Sequence, residues 1–169
     1  MDMLLQEKIG HLNSFEINNR SIELLSLEWY ETKKRILRKL TNSGREVSLK
    51  FMDANPSLTD GDILFADEHF VIAITVLPCH CIVLQPTNMF EMASLCYEIG
   101  NKHLPLFYEE DQLLVPFELP LFSLLQIQGY EVKEANRKLL QPLKTTVAAH
   151  PVISDSLFSK AMKLTNTAL

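Results

Sequence analysis

Beyond Pro78 the sequence alternates twice between the period of a strand and the period of a helix, an order that admits few folds. Residues 81–85 read as a strand and 88–99 as an amphipathic helix. Strands follow at 105–108 and 112–115, joined by the acidic turn Glu109-Glu110-Asp111. Residues 120–128 read as a second helix, with Pro120 in its first turn and Gly129 as its C-cap, and 130–136 as a last strand. Strand-helix-strand repeated in this way is the ferredoxin-like βαββαβ order.

Ahead of Pro78 the pattern is one of short strands. Leu25, Leu27 and Trp29 alternate, as do Ile36, Arg38 and Leu40 less cleanly. Asn42-Ser43-Gly44 forms a turn, after which 46–51 alternates polar and apolar. Asp60-Gly61-Asp62 turns into Ile63-Leu64-Phe65, and Asp67-Glu68-His69 separates these from 70–77. Strands at this spacing predict a small all-β domain, barrel-like or sandwich-like. The expected class is α+β: an all-β domain at 1–77, a ferredoxin-like domain at 78–146, and a tail at 147–169. Residues 1–20 carry only turn signals at Gly10, His11 and Asn18-Asn19. In the tail, Ser154 or Asp155 could cap a short helix bearing Leu157, Phe158, Ala161 and Met162, or the segment could be loose.

Residues 70–90 contain no Asp, Glu, Lys or Arg, the length of a spanning helix. Pro78 and Pro86 interrupt that run, and seven of its residues between Val71 and Val83 are β-branched, so it reads as two buried strands with a break. No membrane partner is expected. A net charge of −5 without a long basic block argues against nucleic acid as the main partner. Three cysteines make no disulfide framework and suit a reducing compartment, and the N-terminus lacks a basic-then-apolar leader, so the expected location is the cytoplasm.

Residues 96–105 join the end of the first helix to a Gly-Asn stop and a histidine just past it. Met89, Met92, Ala93, Cys96 and Ile99 recur at helical spacing, and Asn88 with Glu91 resembles a capping box. Gly100 and Asn101 both tolerate the left-handed conformation that ends helices, and Pro105 prevents the helix from resuming. His103 is thereby held at a helix carboxyl end, whose partial negative charge favours a nearby cation. On the residues alone it is either a capping or surface histidine or a metal ligand.

This stretch carries a family resemblance. Tyr97, Gly100, Asn101, His103 and Pro105 resemble the Tyr-His-Leu-Gly-Asn-(Arg/Lys)-His-x-Pro signature of the UreE urease accessory proteins. Leu27-x-x-x-Glu31-x-Lys33-Lys34-Arg35, then Gly44-Arg45-Glu46-Val47, then Leu58-x-Asp60-Gly61-Asp62 resemble the N-terminal domain of the same family. One departure is Glu98, which stands at the earlier histidine of the signature. The resemblance implies a nickel metallochaperone with a peptide- or partner-binding first domain and a ferredoxin-like second domain that binds the metal. It also implies that His103 is the metal ligand and that His150, after the second domain, is an accessory one. The implied partners are a urease accessory GTPase and the complex of urease apoprotein with its accessory proteins.

Neutral imidazole suits nickel, and zinc or copper as well. One histidine cannot hold such an ion tightly, but the two-fold axis of a homodimer brings two copies of His103 to one point, and His150 could add more. A site of that kind stays open to exchange, as a carrier requires. Cys79-His80-Cys81 offers a second conceivable site, but in an extended chain the thiols and the imidazole point to opposite faces. Cys96 reads as core, and His11 and His69 as turn residues. The basic strip at Lys33, Lys34, Arg35, Arg38 and Lys39 reads as a guarded strand edge or as a docking surface for an acidic partner. No phosphate loop, zinc-protease helix or nucleophile elbow is present, so an enzyme is not expected. The rival readings are a metal-independent peptide-binding chaperone, a nickel or zinc buffer, and a metal-dependent enzyme.

Overall fold

The computed structural model describes residues 3–53 and 56–143. The first half is all β. It holds β1 (Met3–Leu5), β2 (Gly10–His11), β3 (Ser21–Leu27), β4 (Ile36–Leu40), β5 (Glu46–Lys50), β6 (Asp62–Ala66) and β7 (Phe70–Val76). These make two sheets, ordered β1-β5-β4 and β2-β6-β7-β3. The alternating residues of β5 turn Val47 and Leu49 inward to meet Leu25 and Leu27 of β3 and Ile72, Ile74 and Val76 of β7 in one core. Strand β7 is buried on both faces, because Val71 and Ala73 meet Ile63 beneath Leu12 and Phe15. Such double burial accounts for the uninterrupted apolar run.

Three sequence readings are corrected here. Residues 1–20 do contain strands, but β1 pairs in parallel with β5 and β2 pairs with β6, so their partners are remote in sequence. Trp29 lies in a single 3-10 turn, Trp29–Glu31, rather than on a strand. In β4, Ile36 and Leu40 are exposed, at 63% and 61%, and it is Leu37 that packs against the core. As an outer strand, β4 has less apolar surface to bury than the alternation suggests.

The second half is α+β: β8 (Cys79–Leu84), α1 (Met89–Asn101), β9 (Phe107–Glu109), β10 (Gln112–Pro116), α2 (Leu119–Ile127) and β11 (Val132–Arg137). Its sheet runs β11-β8-β10-β9 with every pair antiparallel, the ferredoxin-like arrangement. One face, through Ile82, Leu84, Leu113 and Val115, packs against Leu95 and Ile99 of α1 and Leu121 and Leu125 of α2. The other face, through Cys81, Val83, Phe107 and Leu114, is covered by Leu139 and by Trp29 from the first half. The Trp29 and Phe107 rings meet edge to face, 5.6 Å between centroids. The Lys138 ammonium adds a second tie, donating to Asp60 Oδ1 at 2.8 Å. Among the described residues no helix is long and apolar enough to cross a membrane.

The first half also contains a partly buried ion pair. Arg45 donates from Nε (3.1 Å) and Nη2 (2.9 Å) to the Glu23 carboxylate, which also accepts from Thr41 Oγ1 at 3.0 Å. The Arg45 hydrogen bonds lead the effects that hold the Glu23 carboxyl down to about 2, against the opposing effect of burial. A carboxyl depressed by folding contributes stability above its unfolded value, near 4.5, and loses it as pH falls toward 2. In an acid titration of unfolding free energy, Glu23→Gln should flatten the decline in that window. Superimposable slopes for the two proteins would contradict this.

Candidate metal centre

The centre is set by how α1 begins and ends. Asn88 caps the helix, accepting from Glu91 N at 2.9 Å, and Glu91 accepts in return from Thr87 N at 2.9 Å. The pairing thus joins Glu91 to Thr87, one residue before the cap. The Thr87 hydrogen bonds hold the Glu91 carboxyl below its ordinary range. At the other end, Lys102 N donates to Ile99 O (3.1 Å) and His103 N to Gly100 O (2.9 Å). The expected stop at Gly100-Asn101 is corrected. The helix runs through both residues, and the left-handed residue is His103 itself, at φ 56°.

A histidine in that conformation costs about 1 kcal/mol relative to glycine, so the surroundings must impose it. Leu104 and Leu106 do so, packing into the core under the two helices directly after the turn. The imidazole is left exposed at the helix carboxyl end. Glu98 is half-buried and paired with Lys102 at 3.3 Å, so the departure from the signature is occupied by an ion pair along the helix.

The face of α1 turned away from the core differs from the sequence reading. Met92, Leu95, Cys96 and Ile99 do pack inward, but Met89 and Ala93 do not. Met89 (85% exposed), Phe90 (83%) and Tyr97 (72%) form, with Ala93 and Gly100, an apolar stripe that ends at His103. Periodicity could have revealed it, because the helix is apolar on two sides and one sheet can bury only one of them.

The other candidates are placed as follows. His80 is stacked on Phe117, 4.3 Å between centroids, with Nε2 2.9 Å from Glu134 Oε2. Cys79 and Cys81 face the opposite side of β8, against Trp29 and Phe107, so the trio does not converge. Burial pushes the Cys79 thiol up to about 11 and the Cys81 thiol upward too, away from the thiolate that binds metal. Both nitrogens of His11 are engaged: Nδ1 accepts from Asn13 N at 3.2 Å, and Nε2 lies 2.9 Å from Asp60 O. The exposed His69 sits in a turn closed by the Asp67 carboxylate. His150 lies outside the described residues. Among the described residues no group of three or more His, Cys, Asp or Glu could hold a metal ion. Among the described residues, therefore, no cluster of such ligands gathers at His103.

The comparisons decide the family. Residues 5–77 match the model of the UreE urease accessory protein, N-terminal domain, and residues 76–150 that of the C-terminal domain. This chain belongs to the UreE urease accessory protein family. It is 40% identical to the urease accessory protein UreE of Flavobacterium johnsoniae over 163 residues, which is 96% of this chain and 99% of that one. With the UreE of Actinobacillus pleuropneumoniae it shares 43% identity, over 86% of this chain and 80% of the relative. With that of Acetivibrio thermocellus it shares 35%, over 83% and 92%. Membership agrees with both halves of the fold and makes the chain an accessory protein of urease maturation.

The strained turn yields a test. His103→Gly should raise the unfolding free energy by up to about 1 kcal/mol, since glycine meets φ 56° without strain. A loss of stability in urea titrations would show that the histidine side chain holds the turn together.

Proposed function

We propose that this chain carries nickel to urease and that its metal site forms between two copies of the chain. The observation that carries the reading is the exposed apolar stripe on α1 that terminates at His103. A second copy laid against the stripe about a two-fold axis would bury it and bring two imidazoles together. Gly100 supports a close approach there. Its φ is not left-handed, and a Cβ at this position would meet nothing within 4 Å, so nothing among the described residues requires glycine.

Two imidazoles and exchangeable water make a site that releases its ion more readily than a closed structural site. The partial negative charge at the end of α1 favours the cation further. His150 serves in this proposal as an accessory ligand. Zinc and copper suit the same donors. Residues 78–146 then act as the metal-binding part and 1–77 as the part that meets partners. The cargo passes to the urease accessory GTPase and the apoprotein–accessory complex in the cytoplasm, as the family implies. The chain's part is to bind and transfer, with no catalytic step of its own.

Tyr97→Glu tests the reading without touching the ligand. A carboxylate in the middle of the stripe should hold the protein as a monomer in sedimentation experiments. It should also weaken nickel uptake about ten-fold or more in equilibrium dialysis, with His103 intact. Wild-type nickel affinity in a monomeric Tyr97→Glu protein would contradict a shared site.

A further inference from the structure

After β11 the chain crosses the back of the second half as a strap, residues 138–143. The sheet order puts β11 at one edge and β9 at the other, three strand spacings or about 14 Å apart. The strap spans that width on the face turned toward the first half. Leu139, 3% exposed, packs there with Cys81, Val83, Phe107 and Leu114. Lys138 Nζ donates to Asp60 Oδ1 at 2.8 Å and to Thr75 Oγ1 at 3.3 Å, which ties the strap to the first half as well.

The strap ends as a short antiparallel partner of β9. Tyr108 N donates to Gln141 O at 3.0 Å, Leu143 N donates to Leu106 O at 2.8 Å, and Phe107 stands opposite Pro142. Residues 140–143 are all exposed, so core packing does not account for their return to β9. The register has a direction: at Leu143 the chain runs toward Pro105 and His103. Leu106 is three residues from His103, so at most about 11 Å separate the two. His150 is seven residues beyond Leu143, a reach of up to about 25 Å.

We infer that the strap positions His150, with Leu139 as the positioning residue that starts the tail beside the metal site instead of at the far edge of the sheet. The inference rests on the reading of His150 as an accessory ligand. A tethered ligand meets its site at an effective concentration that falls roughly as the −3/2 power of tether length. Released from the strap, the tail would begin at Arg137, and the tether to His150 would grow from seven residues to thirteen. That change lowers the effective concentration about 2.5-fold, before the added distance from the far edge is counted.

The test is nickel uptake by the full chain in equilibrium dialysis, for wild type, Leu139→Asp, His150→Ala and the double variant. A carboxylate in place of Leu139 is too costly to keep in the apolar interface and should expel the strap. Leu139→Asp should weaken uptake about three-fold or more, whereas adding it to His150→Ala should change nothing further. Equal losses in both backgrounds would show that Leu139 acts on the fold alone and would overturn the inference. A second variant leaves Leu139 untouched, so the test survives if Leu139→Asp fails to fold. A Gly-Ser insert of about 24 residues after Leu143 should weaken uptake about nine-fold, or to the level of His150→Ala if that is reached first. Undiminished uptake with the insert, where His150→Ala does weaken it, would overturn the inference and leave the ligand reading standing. Wild-type uptake by His150→Ala would overturn the ligand reading, and the inference with it.

Discussion

Leu104 and Leu106 enter the core immediately after α1 ends, and the candidate metal centre depends on that anchoring. The helix is fixed from inside by Leu95 and Ile99, and the segment beyond it by these leucines. Only a sharp turn can join the two, and His103 accepts the left-handed backbone that the turn demands. The imidazole is thereby held outward at the carboxyl end of a helix, in one backbone conformation, on a scaffold that cannot relax without uncovering apolar surface. A glycine would fit the turn better and could bind nothing. Backbone strain of this kind, held at one exposed position, is the observation behind the proposal that His103 is a ligand.

The packing of the two halves decides which surface of the second half is left for a partner. The ferredoxin-like sheet has two faces. Helices α1 and α2 cover one, while Leu139 and Trp29 cover the other. Trp29 comes from the first half, so that half closes the back of the sheet, assisted by the tie between Lys138 and Asp60. The outward side of α1 remains, and it is apolar. An exposed Met-Phe-Tyr surface beside a potential metal ligand is costly in an isolated protomer and useful in a pair.

Much of this was legible in the sequence because the period changes at Pro78. The βαββαβ order, the caps at Asn88 and Gly129, and the burial of Ile99 all follow from local residue choice. What was not legible depended on remote partners. Strands β1 and β2 are too short to show a period, and their pairing to β5 and β6 is set by chain topology. Strand β4 alternates as a half-buried strand would, yet at the edge of its sheet the alternation runs the other way, with Ile36 outward. At the site, the motif points to His103, but the left-handed residue expected at Gly100 or Asn101 is His103 itself. Glycine tolerates that conformation without being obliged to adopt it, and the helix continued because Ile99 and its neighbours were still packed. The exposed stripe does not stand out in the sequence because the spacing of Met89 and Ala93 fits either side of a helix apolar on both.

The central claim, that neither protomer alone grips the cargo, is tested most directly by native mass spectrometry of the protein loaded with limiting nickel. The account predicts that nickel is found on dimers, one ion for each pair of chains at the high-affinity site, and that mixed dimers of wild-type and His103→Ala chains lose that ion. Stable one-to-one loading of monomers, or undiminished loading of the mixed dimers, would contradict it.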